Sequence, residues 1–282
     1  MDLTHIATQL LSDDTSTRLA GLAALEAQSD YFSLPPEVCR GLLLCLGHSR
    51  KAVQRGAAAQ LVRFSRTHPE LVAALTKKLA DPDPRVRWTA AFTLSQLDLP
   101  APSPLPVLIE NLGHDESDLR WAAATAVLRL AAHHPPVIEE LRRLAGAGNA
   151  VQRRMALYCL RDLAQAGSDA QAVYLTSLSD LDSGVRLAGL SCLGKLKLTS
   201  SEAGKALLRL VEADPDPGVR RSAAVTLGQL GDAAPTVLEV LTRAAQSDDT
   251  GLRKAAAGAL EKLRAEVPSP AYGRGNLKPS AE

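Results

Sequence analysis

The chain repeats itself about every 33 residues, and that period limits it to architectures that use one small unit many times over. The stretch Asp81-Pro-Asp-Pro-Arg-Val-Arg-Trp-Thr-Ala-Ala-Phe-Thr-Leu-Ser-Gln-Leu97 is matched without gaps by residues 180–196 and 214–230. Taking the arginine after the valine as anchor, the repeats are marked by Arg18, Gln54, Arg87, Arg120, Arg153, Arg186, Arg220 and Arg253, at intervals of 36, 33, 33, 33, 33, 34 and 33. Eight repeats therefore account for residues 1–265, and 266–282, rich in proline and glycine, is expected to be a disordered tail.

Four residues before the anchor stands an acid in six repeats: Asp14, Asp83, Glu116, Asp182, Asp216 and Asp249. A carboxylate there can accept from the free N–H groups of a helix's first turn, and Pro84 and Pro217 follow at the first helical position, where a missing N–H costs nothing. Arg50 and Asn149 depart from the pattern. Apolar or small residues fall one before the anchor and three, four, seven and ten after it, which gives one buried stripe on a helix. A shorter amphipathic helix precedes it, as at 71–79, 105–112, 137–144 and 203–211. Each repeat reads as an antiparallel helix pair that must stack on its neighbours. An insertion near 31–36 and the prolines at 100, 102, 104 and 106 interrupt two connections.

Composition agrees with an all-α chain. Hydrophobic residues make up 46%, mostly Ala and Leu with nine aromatics, which suits close helix packing rather than a β-sandwich or barrel. Lys+Arg 32 against Asp+Glu 31 leaves a net charge of +1, so bulk charge selects no class of partner. Cys39, Cys45, Cys159 and Cys192 lie in apolar helical patterns and read as small buried hydrophobes of a reducing compartment. The start lacks a basic leader and no apolar run approaches a membrane span, so a cytoplasmic location is expected, away from any membrane.

The Asp-Pro-Asp-Pro-x-Val-Arg-x-x-Ala-Ala-x-x-Leu-x-x-Leu pattern resembles HEAT repeats, in particular the short bacterial form also found in phycobilisome-lyase-type proteins. The resemblance covers roughly residues 1–265. It implies a right-handed α-solenoid, of the armadillo/HEAT kind, that serves as a scaffold. It also implies that the anchor ladder Arg87, Arg120, Arg153, Arg186, Arg220 and Arg253 is structural, bonding to turn aspartates such as Asp81, Asp180 and Asp214 of the same or a neighbouring repeat.

On a helix, positions +1, +5, +8 and +9 from the anchor lie opposite the apolar stripe, and in HEAT-like solenoids that face lines the concave surface. Trp88, Phe92, Trp121 and Tyr158 fall there in three consecutive repeats. So do the basic residues Arg55, Arg63, Arg129, Arg154, Arg161, Lys195, Arg221, Lys254 and Lys262, against the acids Glu26, Asp162 and Glu261. Trp88, Phe92, Trp121, Arg154, Tyr158, Arg161 and Arg221 are the candidate binding residues, and the basic bias points to an acidic or amphipathic protein segment.

Catalytic motifs are missing. The sequence has no phosphate-binding loop, no nucleophile elbow and no His-Glu pair of the sort that HEAT-type di-iron hydroxylases need as ligands. Adjacent His133 and His134 would point about 100° apart on a helix, which is poor geometry for one metal. Asp162 is worth naming because HEAT-like DNA glycosylases place an aspartate amid aromatics, although a surface acid balancing arginines fits it better. Three functions remain: a non-catalytic protein-binding scaffold without cofactor or metal, a nucleic-acid binder, and a lyase-type or chaperone-like accessory factor. The first is preferred because the chain is close to neutral.

Overall fold

The computed structural model describes residues 2–28, 34–97 and 104–266. Among them are sixteen helices and no strand. The helices form hairpins and fall into two compact units, 1–165 and 166–282. The first unit holds five hairpins: α1 (Leu3–Leu11) with α2 (Thr15–Glu26), α3 (Pro36–Cys45) with α4 (Lys51–Ser65), α5 (Pro69–Lys78) with α6 (Pro84–Leu94), α7 (Leu105–Leu112) with α8 (Ser117–Ala131), and α9 (Pro136–Ala147) with α10 (Ala150–Asp162). The second unit holds three: α11 (Ser168–Ser177) with α12 (Ser183–Leu196), α13 (Ser201–Ala213) with α14 (Pro217–Leu230), and α15 (Pro235–Ala244) with α16 (Thr250–Glu266). The second helices stack in order within each unit, α2 on α4 on α6 and α12 on α14 on α16, which is the all-α solenoid arrangement. The expected tail and parts of the two interrupted connections (29–33 and 98–103) lie outside the described residues.

Burial follows the period. Three residues past the anchor every repeat has Ala or Gly, and Ala57, Ala90, Ala123, Ala156, Ala223 and Ala256 are completely buried. The reason is a close approach between the two helices of a hairpin. A Cβ added at Gly21 would stand 2.9 Å from Cβ of Gln9 in α1, and one at Gly189 would collide with the Ser177 hydroxyl in α11. Position +8 departs from expectation: Ser95, Gly194 and Gly228 are buried there, so in α6, α12 and α14 the open face narrows to +1, +5 and +9.

The turn inside each hairpin is closed by its anchor. All eight anchor side chains donate to a carbonyl five or six residues back, for example Arg87 to Asp81 O (3.1 Å), Arg120 to His114 O (2.7 Å) and Arg220 to Asp214 O (2.8 Å). Gln54 does the same for His48 O at 2.6 Å, so its amide replaces the guanidinium. The Asp81 carboxylate takes Lys78 and the Asp83 N–H, and that of Asp180 takes the Asp182 N–H. The Asp214 carboxylate accepts the fork of the preceding repeat's anchor, with Nε and Nη2 of Arg186 both at 2.8 Å.

The cap acids Asp14, Asp83, Asp182, Asp216 and Asp249 accept first-turn N–H groups as expected, and Asn149 forms a capping box with Gln152. Glu116 caps nothing with its side chain and instead lies 3.5 Å from Lys51. Cys45, Cys159 and Cys192 are buried, whereas Cys39 is partly exposed. Burial pushes the Cys159 thiol up to about 12, with the Asp162 charge adding to it, so this sulfur is inert at neutral pH.

Candidate functional site

The aromatic positions +1 and +5 come together on the second helices of repeats 3 to 5, all within the first unit. Trp88 and Phe92 are one turn apart on α6, with ring centroids 5.6 Å apart and planes tilted by 38°. Trp121 on α8 stacks across to Tyr158 on α10, with centroids 5.8 Å apart and planes within 16°. The Arg161 guanidinium lies 4.8 Å from the centroid of Tyr158 and bonds to Asp162 at 2.9 Å. A +1 residue of one repeat thus meets a +5 residue of the next. Trp121 keeps 48% of its surface exposed while making this stack, whereas Trp88, Phe92 and Tyr158 are half-buried. Arg154, one turn before Tyr158, makes no ion pair among the described residues.

Beside the α6 pair lies a cleft of about 230 Å3 between α4, α6 and α8. Trp88 and Phe92 form one side, and Ala58, Ala59 and Ala122 leave the space open because none carries a long side chain. Lys51 and Arg55 stand on the α4 wall and Asp118 on the α8 wall. The contact from Lys51 to Glu116 bridges α4 and the start of α8. Sequence reasoning missed this cleft, though its signal was present in the alanines at +5 of repeat 2 and +2 of repeat 4.

Of the expected residues, Trp88, Phe92, Trp121, Arg154, Tyr158 and Arg161 share the first unit, while Arg221 belongs to the second, 3.8 Å from Asp249. The expected basic face is also partly spoken for. Arg63 donates to the carbonyls of Leu25, Glu26 and Gln28 at the end of α2 and is therefore a cap. His133 and His134 lie beyond the end of α8, beside Arg129 in a small hollow of about 70 Å3. Among the described residues no group of three or more His, Cys, Asp or Glu could hold a metal, and no helix is long and apolar enough to cross a membrane.

Stacked helix hairpins closed by a repeated turn define an α-solenoid. The HEAT-repeat family profile matches residues 40–129 and 174–261, more than half of the chain, and the protein belongs to that family. No curated protein matches it in sequence. Among solved structures, Escherichia coli YibA is 18% identical over 94% of this chain and 93% of its own, with a TM-score of 0.53. Kap121p bound to Pho4p is 13% identical, with 93% and 34% covered and a TM-score of 0.66. Kap95p, solved with RanGDP, is 14% identical, with 93% and 39% covered and a TM-score of 0.56. At these identities the likeness is one of fold, and the chain spans about a third of Kap121p.

Proposed function

We propose that this HEAT-repeat protein is a non-catalytic, cofactor-free scaffold of the cytoplasm whose first unit binds an acidic or amphipathic segment of another protein. The observation that carries this is Trp121. A large aromatic side chain that stays half-exposed while packed flat on Tyr158, with Arg161 on the same ring, has the makings of an interface anchor: rigid, apolar and flanked by positive charge. The repeats are proposed to be of the short bacterial type on the strength of their Asp-Pro-Asp-Pro turns. The anchor arginines are proposed to be structural, since each directs a guanidinium nitrogen to a carbonyl of its own turn.

Stacked aromatics beside arginine also suit single-stranded nucleic acid, so the test separates the two. A random peptide library is displayed against the full chain and against Trp121→Ala, with a twelve-nucleotide oligo(dT) as a parallel probe. The expected result is enrichment of acidic, apolar-containing peptides that is lost in the variant, whose far-ultraviolet circular dichroism stays unchanged. Enrichment that survives Trp121→Ala, or oligo(dT) binding that falls steeply with salt, contradicts the proposal.

A further inference from the structure

The cleft beside Trp88 and Phe92 differs from the rest of the aromatic face in having depth. Its volume of about 230 Å3 exceeds the roughly 150 Å3 at which an apolar protein cavity takes up benzene, so it admits one large apolar side chain. Trp88 and Phe92 offer that side chain ring surface, and Ala59 and Ala122 leave its path unobstructed. The charges around it are asymmetric. Among the described residues, exposed Arg55 makes no ion pair and Lys51 makes one, an exposed contact of 3.5 Å to Glu116. Both stand on the α4 wall, facing Asp118 across the opening.

We infer that this cleft is a specificity pocket for a short linear peptide in which one large apolar residue sits within a few positions of a carboxylate. The apolar side chain enters between α4 and α8 against Trp88 and Phe92, and the carboxylate pairs with Arg55 and Lys51. The peptide then continues toward Trp121. The pocket supplies the selective contact and the Trp121–Tyr158 stack supplies general adhesion. This rests on the proposed scaffold role and adds to it the class of ligand and its point of insertion.

The probe is the consensus peptide selected from the random library with the full chain, labelled and titrated by fluorescence anisotropy. Three variants are compared: Ala59→Leu/Ala122→Leu, which fills the cleft from partly exposed helical positions; Arg55→Glu, which reverses the charge on its wall; and Trp121→Ala. The consensus is expected to pair a large apolar residue with Asp or Glu within about three positions. Filling the cleft is expected to weaken binding about ten- to a hundredfold, the range set by burying one such side chain. Arg55→Glu is expected to weaken it about tenfold or more, and Asp-to-Asn changes in the peptide to abolish that difference. Melting temperatures of the variants within a few degrees of the parent show that the fold is kept. If the filled cleft binds as the parent does while Trp121→Ala loses binding, the pocket is wrong and the scaffold role stands. If no peptide is enriched, or if none of the variants affects binding, both fail.

Discussion

In seven of the eight repeats, the residue six before the anchor turns its side chain back to accept the N–H two positions on, and the chain uses three kinds of acceptor for it. Asp81, Asp180 and Asp214 use a carboxylate, Ser12 and Ser247 a hydroxyl, and His48 and His114 use Nδ1. An imidazole can accept there only while Nδ1 carries no proton. The pKa of His48 is held below the ordinary 6.5, by partial burial first and then by the positive charges of Arg18, Arg50 and Arg85. The folded chain therefore binds fewer protons at this site than the unfolded chain. The contribution is complete above about pH 6.5, where an unfolded histidine is neutral, and is lost as pH falls below that toward the folded value. Urea midpoints measured from pH 8 to 5 are expected to fall more steeply for the parent than for His48→Asp, which restores the acceptor used in repeat 3; equal slopes would refute this. The cap carboxylates Asp14, Asp83, Asp216 and Asp249 are held below 3.8 mainly by hydrogen bonds, from the first-turn N–H groups and, for Asp83, foremost from the Arg85 side chain, so they lose their contribution only in stronger acid.

Also at the residue scale, Arg186 and Asp214 are 8% and 6% exposed and joined by two bonds of 2.8 Å. Removing one partner of such a pair strands a buried charge, so Asp214→Ala is expected to destabilise the second unit by about 3–5 kcal/mol. Glu110→Ala, which breaks an exposed contact to Arg87, should change stability by about 1 kcal/mol or less. Denaturant unfolding that gives the two variants similar losses would overturn this contrast.

At the scale of the helix, the period predicted where helices begin better than how they end. Starts are set by local chemistry, the cap acid and the proline after it, and can be read residue by residue. Ends are set by where packing releases the chain. Three repeats leave their second helix through a left-handed residue eleven past the anchor: Ala164 (φ 52°), Lys197 (φ 50°) and Gly231 (φ 75°). In two of them the next N–H reaches back five residues, from Gln165 to Leu160 and from Leu198 to Leu193. Only glycine adopts this conformation without strain, so two of the three ends bear a side chain where none is favoured. Ala164→Gly and Lys197→Gly should each stabilise the protein by roughly 0.5–1 kcal/mol, the relief of the strain less the entropy glycine adds to the unfolded chain. Gly231→Ala should do the reverse. Thermal melts in which the first two variants are less stable than the parent would show that these helix ends are not strained.

At the scale of the whole molecule, the repeat, the sixteen helices and the Ala/Gly seam were legible because every repeat states them again. The expected face was legible in part. Trp121 and Tyr158 meet because one repeat's +1 residue reaches the next repeat's +5, and that reach depends on the offset between helices, which a one-dimensional period does not record. The cleft depends on three alanines from different repeats, and a helical wheel shows only one helix at a time. Nor does a uniform period mark the division after Gln165, which follows from the density of contacts.

Trp88 and Trp121 are the chain's two tryptophans, and both belong to the proposed binding face, so tryptophan emission, excited selectively over tyrosine, reports on that face. The measurement that bears most directly on the account is a titration of the full chain, at moderate salt, with the acidic, apolar-containing peptide selected from the library. It predicts a saturable change in tryptophan emission and, in Trp121→Ala, an affinity at least about tenfold lower with an unchanged melting temperature. A peptide that binds without altering tryptophan emission, and binds Trp121→Ala equally well, would contradict it.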